Sequence, residues 1–541
     1  MYHFTIIGGG AACVPLLQQL TMLIEEKKIA STVINIIEKN TNAPLGAGLA
    51  YSTKSSEQIL RLPVTKMSAH PDKPNHFADW IKANQNKWER DFPDLDIDTD
   101  LYPPRYIFGL YLQDVITELC QQAETIGITV NIIFKEAVDI QKMNSGFNIT
   151  LKDRNDQINE LTTNQVFLCT GHMPAASTYL ELNEKTGYFN SPWNTVINSI
   201  PIDDPIIILG TRLTAIDTVL SLVAHGHRGK IYMASRSGLL PCVIGNSVEY
   251  EKKYLTTEAI DRQTGFGTSK LSLDTVLALF WQEIENSEKR KISDEERRAL
   301  IKPQFSPDAW LKNEIRNSQS TRPWQSVLVS LYPIVQKIWD ALKKEDKQKF
   351  LDDYYSIWMT YLAAFPISNA KKILALMKSQ QLVVLNGLQS VEHDGQQFRI
   401  TCNDQAYITP YVINCTGAGH DYRHSDSLLI QNLIKNKLVT PYALGGLKVD
   451  FKTLVAKNAN HELIDGLYII GDNARGKLMA IADFANQLRF TAIRGANTSI
   501  SHILKKNTSP RSSCSFFKEN GNKENAQLTE KNVCSQGKKI S

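Results

Sequence analysis

The sequence predicts an α/β fold of two Rossmann-like dinucleotide-binding domains, because one nucleotide-binding pattern occurs in it twice. The first copy starts with an apolar strand and a glycine turn at Phe4–Cys13 (FTIIGGGAAC), and the second starts at Ile206–Ala215 (IIILGTRLTA). Each copy closes on an alternating apolar hairpin and a strand that ends in Thr-Gly, at 147–171 and at 398–417. Repetition of a whole unit is stronger evidence for this fold than one short motif.

The chain of 541 residues is too long for one hydrophobic core, and the repeat suggests where it divides. We expect a first domain at 1–175 that is completed by a return segment at 416–505. The second domain is expected at 176–415, with a helical insertion at 268–380 that either caps an active site or only packs on the sheet. The Lys-, Asn- and Ser-rich residues 506–541 are expected to form a disordered tail.

The individual elements follow from apolar periodicity and turn residues. The predicted strands and helices are a strand at Val33–Glu38, a helix at Arg105–Thr125, a strand at Thr129–Phe134, a strand at Lys230–Ser235, helices at Leu271–Ser287 and Val327–Lys343, a strand ending in Gly471-Asp472, and a helix at Ala474–Arg494.

Composition excludes several classes of function. A formal net charge of +4 is too small to indicate nucleic-acid binding, and no apolar run approaches the ~20 residues of a membrane span. The eight cysteines contain no CxxC pair and no metal-ligand spacing. We therefore expect a cytoplasmic protein with reduced thiols, no metal, and neither a nucleic-acid nor a membrane partner.

The first glycine loop has the features of a pyrophosphate-binding turn. Gly8 allows the tight turn, and Gly10 leaves room for a pyrophosphate beside the backbone amides and the positive end of the following helix. Cys13 stands where a third glycine is usual, either as a small replacement or as a thiol activated at a helix N-terminus. Glu38, at the end of the second strand, is placed to accept hydrogen bonds from an adenosine ribose.

The second glycine loop departs from the rule at one position. Arg212 stands where a residue without a side chain is expected, and it either donates to the pyrophosphate or obstructs the nucleotide. Arg236 follows the next strand, where an NAD site would have a carboxylate. A cation there fits a 2′-phosphate and favours NADPH, although the same residue is also consistent with an ordinary surface arginine.

The chain resembles the FAD-NAD(P)-binding family of bacterial flavoproteins, which is distantly similar to the lysine/ornithine N-monooxygenases and other class B flavin monooxygenases. The resemblance covers nearly all of residues 1–505. It rests on GGGAAC, on Gly46–Ser52 (GAGLAYS), on Leu60–Ala69 (LRLPVTKMSA) with Phe77–Trp80, on Pro104–Leu112, on Leu209–Asp217 (LGTRLTAID), and on Gly226–Gly229 with Ser235–Pro241.

The resemblance implies two cofactors and a set of binding residues. FAD is implied at Gly8, Gly10, Ala11, Ala12, Glu38, Met67, Thr170, Gly171, Gly471 and Asp472, with the Asp472 carboxylate on the ribityl chain, and NADPH is implied at Gly210, Arg212 and Arg236. No catalytic base is identified, although loop histidines at His172, His420 and His424 are weak candidates.

The activity implied is the NADPH-dependent oxygenation of a nucleophilic nitrogen in a small amine or amino acid. Two departures from the family pattern bear on it: Arg212 replaces a glycine, and Trp358 is followed by Met359–Phe365 (MTYLAAF) in place of a basic stretch. Two alternatives are an NADPH-dependent reductase or oxidase that transfers no oxygen, and a flavin-bound protein of low turnover that acts through its surface.

Overall fold

The computed structural model describes residues 1–97, 102–171, 179–193, 195–246, 248–301, 303, 306–417, 419, 421–477 and 488–508. Met1–Ile500 form one compact unit. The helices are α1 (Cys13–Glu26), α2 (His76–Ala83), α3 (Arg105–Thr125), α4 (Leu213–Ala224), α5 (Thr257–Gln263), α6 (Leu273–Glu288), α7 (Asp294–Ile301), α8 (Pro307–Asn317), α9 (Pro323–Leu331), α10 (Val335–Ala341), α11 (Lys344–Lys349), α12 (Tyr355–Leu362), α13 (Ile367–Lys378), α14 (Leu428–Lys435) and α15 (Arg489–Thr508).

The first large sheet is formed from the two ends of the described chain. Its strands are β1 (Tyr2–Ile7), β2 (Thr32–Ile37), β3 (Ile128–Ile133), β7 (Gln165–Leu168), β16 (Val455–Lys457) and β17 (Leu463–Ile469). They lie in the order β16-β17-β7-β1-β2-β3, and only β16 is antiparallel to its neighbour. All residues of β2 are buried, as expected for a central parallel strand covered on both faces.

The second large sheet repeats this arrangement with residues from the middle of the chain. Its strands are β8 (Tyr188–Phe189), β9 (Ile206–Leu209), β10 (Ile231–Ala234), β11 (Leu382–Leu385) and β15 (Tyr411–Asn414), in the order β11-β10-β9-β15-β8. Every neighbouring pair is parallel. The central strand β9 is fully buried, and the glycine loop at its carboxyl end leads into α4.

The two predicted hairpin tails are confirmed as small antiparallel sheets of three strands each. One contains β4 (Glu136–Lys142), β5 (Phe147–Lys152) and β6 (Ile158–Thr163), and the other contains β12 (Leu388–His393), β13 (Phe398–Cys402) and β14 (Gln405–Thr409). Strand β5 alternates buried and half-buried residues, which is the period-2 pattern seen in the sequence. The predicted α/β fold with two nucleotide-binding sheets is therefore confirmed.

The helices between β10 and β11 form two layers with different roles. In the first layer, α8 and α13 bury Trp310, Leu311 and Ile373 in the core that covers one face of the second sheet. In the second layer, α6, α9 and α10 surround a separate core that contains Leu271 and Trp339. Helical structure starts at Thr257, before the predicted start at residue 268, while the domain boundaries themselves stay a prediction.

Two predicted helices and the start of the predicted tail differ from the structure. The helix expected at Val327–Lys343 is two helices, α9 and α10, because Pro333 has no amide hydrogen to donate and its ring clashes with the preceding turn. The segment expected to be a helix at Ala474–Arg494 begins instead as a 3₁₀ helix at Gly471–Lys477. Residues 478–487 lie outside the described residues, and α15 follows them. Since α15 extends to Thr508, it includes the first residues of the predicted tail, whose remainder also lies outside the described residues.

Candidate cofactor sites

The first glycine loop fits tightly between β1 and β7. Gly8 has φ of +104°, and a Cβ atom there would lie 2.3 Å from the carbonyl oxygen of Cys169. A Cβ on Gly10 would lie 3.3 Å from Cα of Gly48, so the GAGLAYS segment covers this side of the loop. The geometry therefore requires glycine at Gly8 and leaves little room for a side chain at Gly10.

Glu38 is held beside this loop at the end of β2. Its Oε2 accepts a hydrogen bond from the amide of Gly9 at 2.8 Å, and its Oε1 accepts one from the amide of Asn40 at 2.7 Å. An ionised carboxylate offers about four acceptor positions, so both oxygens keep capacity for the hydroxyl groups of a ribose.

The residues predicted from the two ends of the chain meet at the carboxyl end of the first sheet. A Cβ on Gly471 would lie 4.0 Å from Cβ of Ala12, the residue before α1. Ala11 is nearby as well, because its amide would lie 3.8 Å from a Cβ on Gly48. The predicted FAD residues at both ends therefore share one site.

Asn473 connects the Thr-Gly strand to the Gly-Asp segment and was missed by sequence reasoning. Its Nδ2 donates to Oγ1 of Thr170 at 2.9 Å, and its Oδ1 accepts from the Tyr422 hydroxyl at 2.7 Å. The neighbouring Asp472 side chain is also buried. Gly171 has φ of +71°, and a Cβ there would meet no described atom within 4 Å. The only signal for Asn473 was its place directly after Gly471-Asp472.

Met67 is buried at the end of a 3₁₀ helix that packs near the start of α15. Arg489, the first residue of α15, donates to the carbonyl oxygens of Ser68 at 3.1 Å and Ala69 at 2.7 Å. A Cβ on Gly471 would lie 3.1 Å from the side chain of Leu488, which precedes Arg489. These contacts place the Met67 segment on the same side of the sheet as Gly471.

The activated-thiol alternative for Cys13 does not fit the structure. Cys13 is fully buried, and its pKa is raised well above the ordinary thiol value by burial and by the neighbouring Cys169 and Cys120. A thiol held protonated in this way is a packing residue. His172 and His420 lie outside the described residues, and His424 lies in a short 3₁₀ helix beside the exposed Asp421–Arg423 ion pair.

The second glycine loop repeats the backbone geometry of the first. Gly210 has φ of +115°, and a Cβ there would lie 2.7 Å from the carbonyl oxygen of Cys415, the residue equivalent to Cys169. Thr211, the next residue of the loop, is held by its hydroxyl, which donates a hydrogen bond to the carbonyl oxygen of Leu239 at 2.7 Å. The Arg212 guanidinium leaves the loop and donates to the carbonyl and hydroxyl oxygens of Ser356, both at 2.8 Å.

Arg236 is exposed after β10, beside a cavity of about 370 Å³. The cavity wall includes Ser237 and Leu240, which come shortly after Arg236 in the sequence. It also includes Asn386, directly after β11, and Trp310 from α8 of the helical insertion. In open α/β sheets, ligands bind outside the carboxyl ends of the strands, which is where this cavity lies.

Helix α12 lies between the second glycine loop and the part of the chain that belongs to the first sheet. Ser356 in its first turn contacts Arg212, while the carbonyl oxygen of Leu362 at its end accepts a hydrogen bond from Arg61 at 3.2 Å. Trp358 packs on the same insertion core as Leu444 from the return segment. The insertion therefore both packs on the second sheet and extends to the first.

A buried ion pair joins the two nucleotide-binding halves. Nη2 of Arg105, at the start of α3, lies 2.8 Å from Oδ2 of Asp217 in α4. Burial raises the pKa of Asp217 to about 6, against the opposite effect of Arg105. Nε2 of Gln58 donates to the Ser221 hydroxyl at 3.3 Å on the same interface. The position of α4 relative to α3 is therefore fixed by polar contacts.

Two further findings concern the described residues only. They contain no cluster of three His, Cys, Asp or Glu side chains placed to hold a metal ion. None of the helices in them is long and apolar enough to cross a membrane.

Comparisons with known proteins agree with this architecture. Residues 5–173 match the FAD-NAD(P)-binding family, which confirms the resemblance predicted from the sequence. The uncharacterized protein YdhS of Escherichia coli is 22% identical over 465 residues, which cover 77% of this chain and 83% of that protein. Nitrosuccinic acid synthase of Aspergillus oryzae is 23% identical over 243 residues, 42% of this chain and 36% of that protein.

The fold is also similar to solved structures of an ornithine hydroxylase and a lysine monooxygenase. Ornithine hydroxylase from Pseudomonas aeruginosa has a TM-score of 0.55 and 12% identity, covering 93% of this chain and 100% of that one. L-lysine 6-monooxygenase from Pseudomonas syringae has a TM-score of 0.54 and 13% identity, covering 94% of this chain and 100% of that one. The family match supports binding of FAD and NAD(P), and the solved structures support the fold.

Proposed function

We propose that this protein is an FAD-dependent, NADPH-using oxidoreductase that oxygenates a nitrogen atom of a small amine or amino acid. The observation that carries the proposal is the pair of glycine loops on two parallel sheets, joined within one compact unit. Two such sites in one chain are the arrangement that electron transfer between two dinucleotides requires.

The residues of the first site fit FAD. The loop amides after Gly9 and the start of α1 would hold the pyrophosphate, and Glu38 would accept from the adenosine ribose. Asp472 is buried next to Gly471, and its carboxylate would suit the ribityl hydroxyls. Bound FAD would supply two-electron chemistry between a nicotinamide and a substrate.

The second site fits NADPH at its adenosine end. Arg236 is exposed at the end of β10, where its guanidinium could bind a 2′-phosphate, and the cavity beside Ser237 and Trp310 offers room for an adenine. The insertion helices would exclude water from the space where the two halves meet, which favours transfer of electrons to the intended acceptor.

The choice of an oxygenation reaction is supported by proteins of the same fold. Structures with this fold include ornithine and lysine hydroxylases, and that of the ornithine N-hydroxylase of Kutzneria sp. 744 is described as containing reduced FAD, NADP⁺ and L-ornithine. The Kutzneria structure has a TM-score of 0.51 and 12% identity, covering 94% of this chain and 100% of that one. A nitrogen-containing substrate is the simplest proposal consistent with these neighbours.

A second candidate function is an NADPH-dependent reductase or oxidase that transfers no oxygen. It is favoured by α12, whose sequence YSIWMTYL contains no charged side chain. An amino acid substrate needs a cation to bind its carboxylate, and α12 supplies none.

Oxygen labelling separates the two candidates. FAD-loaded protein is incubated with NADPH, ¹⁸O₂ and a panel of primary amines and amino acids, and the products are analysed by mass spectrometry. The proposal predicts one atom of ¹⁸O in a hydroxylated amine product. NADPH consumption with hydrogen peroxide as the only labelled product, across the whole panel, would instead establish the oxidase.

The cofactor preference has its own test. If Arg236 binds the 2′-phosphate, flavin reduction is faster with NADPH than with NADH, and Arg236→Ala removes about 10- to 100-fold of that preference. Arg399→Ala, an exposed arginine of β13 in the same half of the molecule, is the matched control and leaves the preference unchanged. Equal reduction rates with NADH and NADPH in the unmodified protein would refute the assignment of Arg236.

A further inference from the structure

Arg212 is the residue of the second glycine loop whose side chain binds the helical insertion. Its backbone is extended, with φ of −103° and ψ of −167°, at the residue that precedes α4. Its Nη2 donates to two oxygen atoms of Ser356, 144 residues further along the chain in the first turn of α12. A loop suited to a pyrophosphate is therefore also an anchor for α12.

The charge of Arg212 is poorly matched to its acceptors. Burial lowers the pKa of Arg212, and the positive charge of Arg236 acts in the same direction, against the opposite effect of Tyr355. Within the part of the chain that the structure describes, Arg212 forms no ion pair with a carboxylate, and both of its acceptors at Ser356 are neutral. Because a phosphate is a stronger acceptor for a guanidinium than a carbonyl or hydroxyl group, an anion on this loop would compete with Ser356.

The two ends of α12 are held differently. At its carboxyl end, the Thr360 carbonyl accepts from the amide of Cys242 at 3.0 Å, and the Leu362 carbonyl accepts from Arg61 at 3.2 Å. Its first turn follows a π-helix at Phe350–Tyr354, a rare helix type that often occurs at functional sites. Ser356 itself is exposed. Phe350, Tyr354 and Trp358 pack this end of the helix on the insertion core, and Arg212 provides its polar contact with the glycine loop.

We propose that Arg212 couples nucleotide binding to the position of α12. The pyrophosphate of NADP(H) takes the Arg212 guanidinium from Ser356, and the first turn of α12 then moves away from the glycine loop while its last turn stays bound. Since α12 lies between this loop and the Arg61 segment of the first half, the nucleotide controls access to the space between the two halves. This inference rests on the proposed NADPH site and adds a regulatory role for its one unusual residue.

Hydrogen exchange of the FAD-loaded full chain tests the coupling. Amide exchange in residues 350–362 is measured by mass spectrometry without nucleotide, with saturating NADP⁺, and with adenosine 2′-monophosphate, which carries a 2′-phosphate but no pyrophosphate. Binding of each nucleotide is established separately by calorimetry. We expect NADP⁺ to accelerate exchange in the first turn of α12 by about 10-fold, which corresponds to the lower end of the range for one charge-assisted hydrogen bond, and adenosine 2′-monophosphate to leave it unchanged.

Two variants test the contact between Arg212 and Ser356 itself. Arg212→Ala should show the faster exchange already without nucleotide, and NADP⁺ should change it no further. Ser356→Ala removes only the hydroxyl acceptor and leaves the glycine loop intact, so its exchange rate should increase by a smaller factor. Arg399→Ala is the control for loss of a positive charge and should match the unmodified protein.

The outcomes distinguish this inference from the proposed function. If NADP⁺ binds and exchange in 350–362 does not change, the coupling is wrong and the nucleotide site stands. If calorimetry shows no binding of NADP⁺, the proposed function and the coupling both fail. Unchanged exchange in α12 of both variants, with normal folding by circular dichroism, also overturns the coupling.

Discussion

The buried Arg105–Asp217 pair makes an asymmetric prediction: neutralising its acid should stabilise the protein, and removing its base should destabilise it. The pKa of Asp217 is raised to about 6 because the loss of hydration on burial outweighs the attraction of Arg105. A carboxyl group whose folded-state pKa is raised holds its proton more tightly in the folded chain. Its contribution to stability is therefore greatest at low pH and falls as the pH rises from about 4 to about 6.

The size of the effect follows from the pKa. A rise from the ordinary 3.8 to about 6 corresponds to about 3 kcal/mol at pH 7.5, as an upper limit. Asp217→Asn mimics the protonated acid, keeps an acceptor for Arg105, and should raise the free energy of unfolding by about 1–3 kcal/mol at that pH. Arg105→Met leaves a buried carboxylate without its cation and should lower it by about 3–5 kcal/mol.

Apparent melting temperatures of the FAD-loaded protein, followed by tryptophan fluorescence, measure both changes. For a chain of this length, about 1 kcal/mol corresponds to about 1 °C. The exposed Arg228–Asp203 pair, at 69% and 68% side-chain exposure, provides the matched controls Asp203→Asn and Arg228→Met. Each should change the free energy of unfolding by less than about 0.5 kcal/mol. If Asp217→Asn destabilises the protein at pH 7.5 as much as Arg105→Met does, lost hydration does not dominate at Asp217 and the prediction is wrong.

Two further predictions concern the first cofactor site and acid stability. Gly8→Ala should lower the FAD content of purified protein at least about 10-fold, because the new Cβ would lie 2.3 Å from the Cys169 carbonyl oxygen. The control is Gly395→Ala, at a residue with a similar φ of +106° where a Cβ would meet no described atom within 4 Å. Equal flavin absorbance at 450 nm in both variants would contradict this role of Gly8. His227 is buried, and its ring nitrogens have no hydrogen-bond partner among the described residues. Burial lowers its pKa, against the effect of Asp203 and Asp204. Because the unfolded chain then binds a proton that the folded chain does not, stability should fall as the pH drops below about 6.5, and His227→Leu should reduce that loss in melting curves between pH 7 and 5.5.

The large sheets could be predicted from the sequence because their central strands are continuous apolar runs that end in glycine. The strand at Ile206–Leu209 has this pattern, and Tyr2–Ile7 approaches it with Phe4, Ile6 and Ile7 before Gly8; neither depends on distant residues for its recognition. The break at Pro333 was also visible in principle, since proline interrupts a helix by its own covalent structure. The apolar periodicity on both sides of it obscured this local signal.

The contacts that join the halves could not be predicted in the same way. Arg212 and Ser356 are 144 residues apart, and Arg105 and Asp217 meet only because α3 and α4 are carried by different sheets. Arg212 is unusual in its own loop, but the local sequence around each of these residues does not indicate its partner. Their partners are determined by how the sheets and the insertion pack, which no periodicity in one chain segment reports.

The absorption spectrum of the purified protein decides whether this chain is a flavoprotein with two working dinucleotide sites. We expect a yellow protein with flavin absorbance near 450 nm that is bleached by NADPH under argon and restored by air. Colourless protein that does not take up added FAD, or bound flavin that NADPH leaves oxidised under argon, would show that it is not.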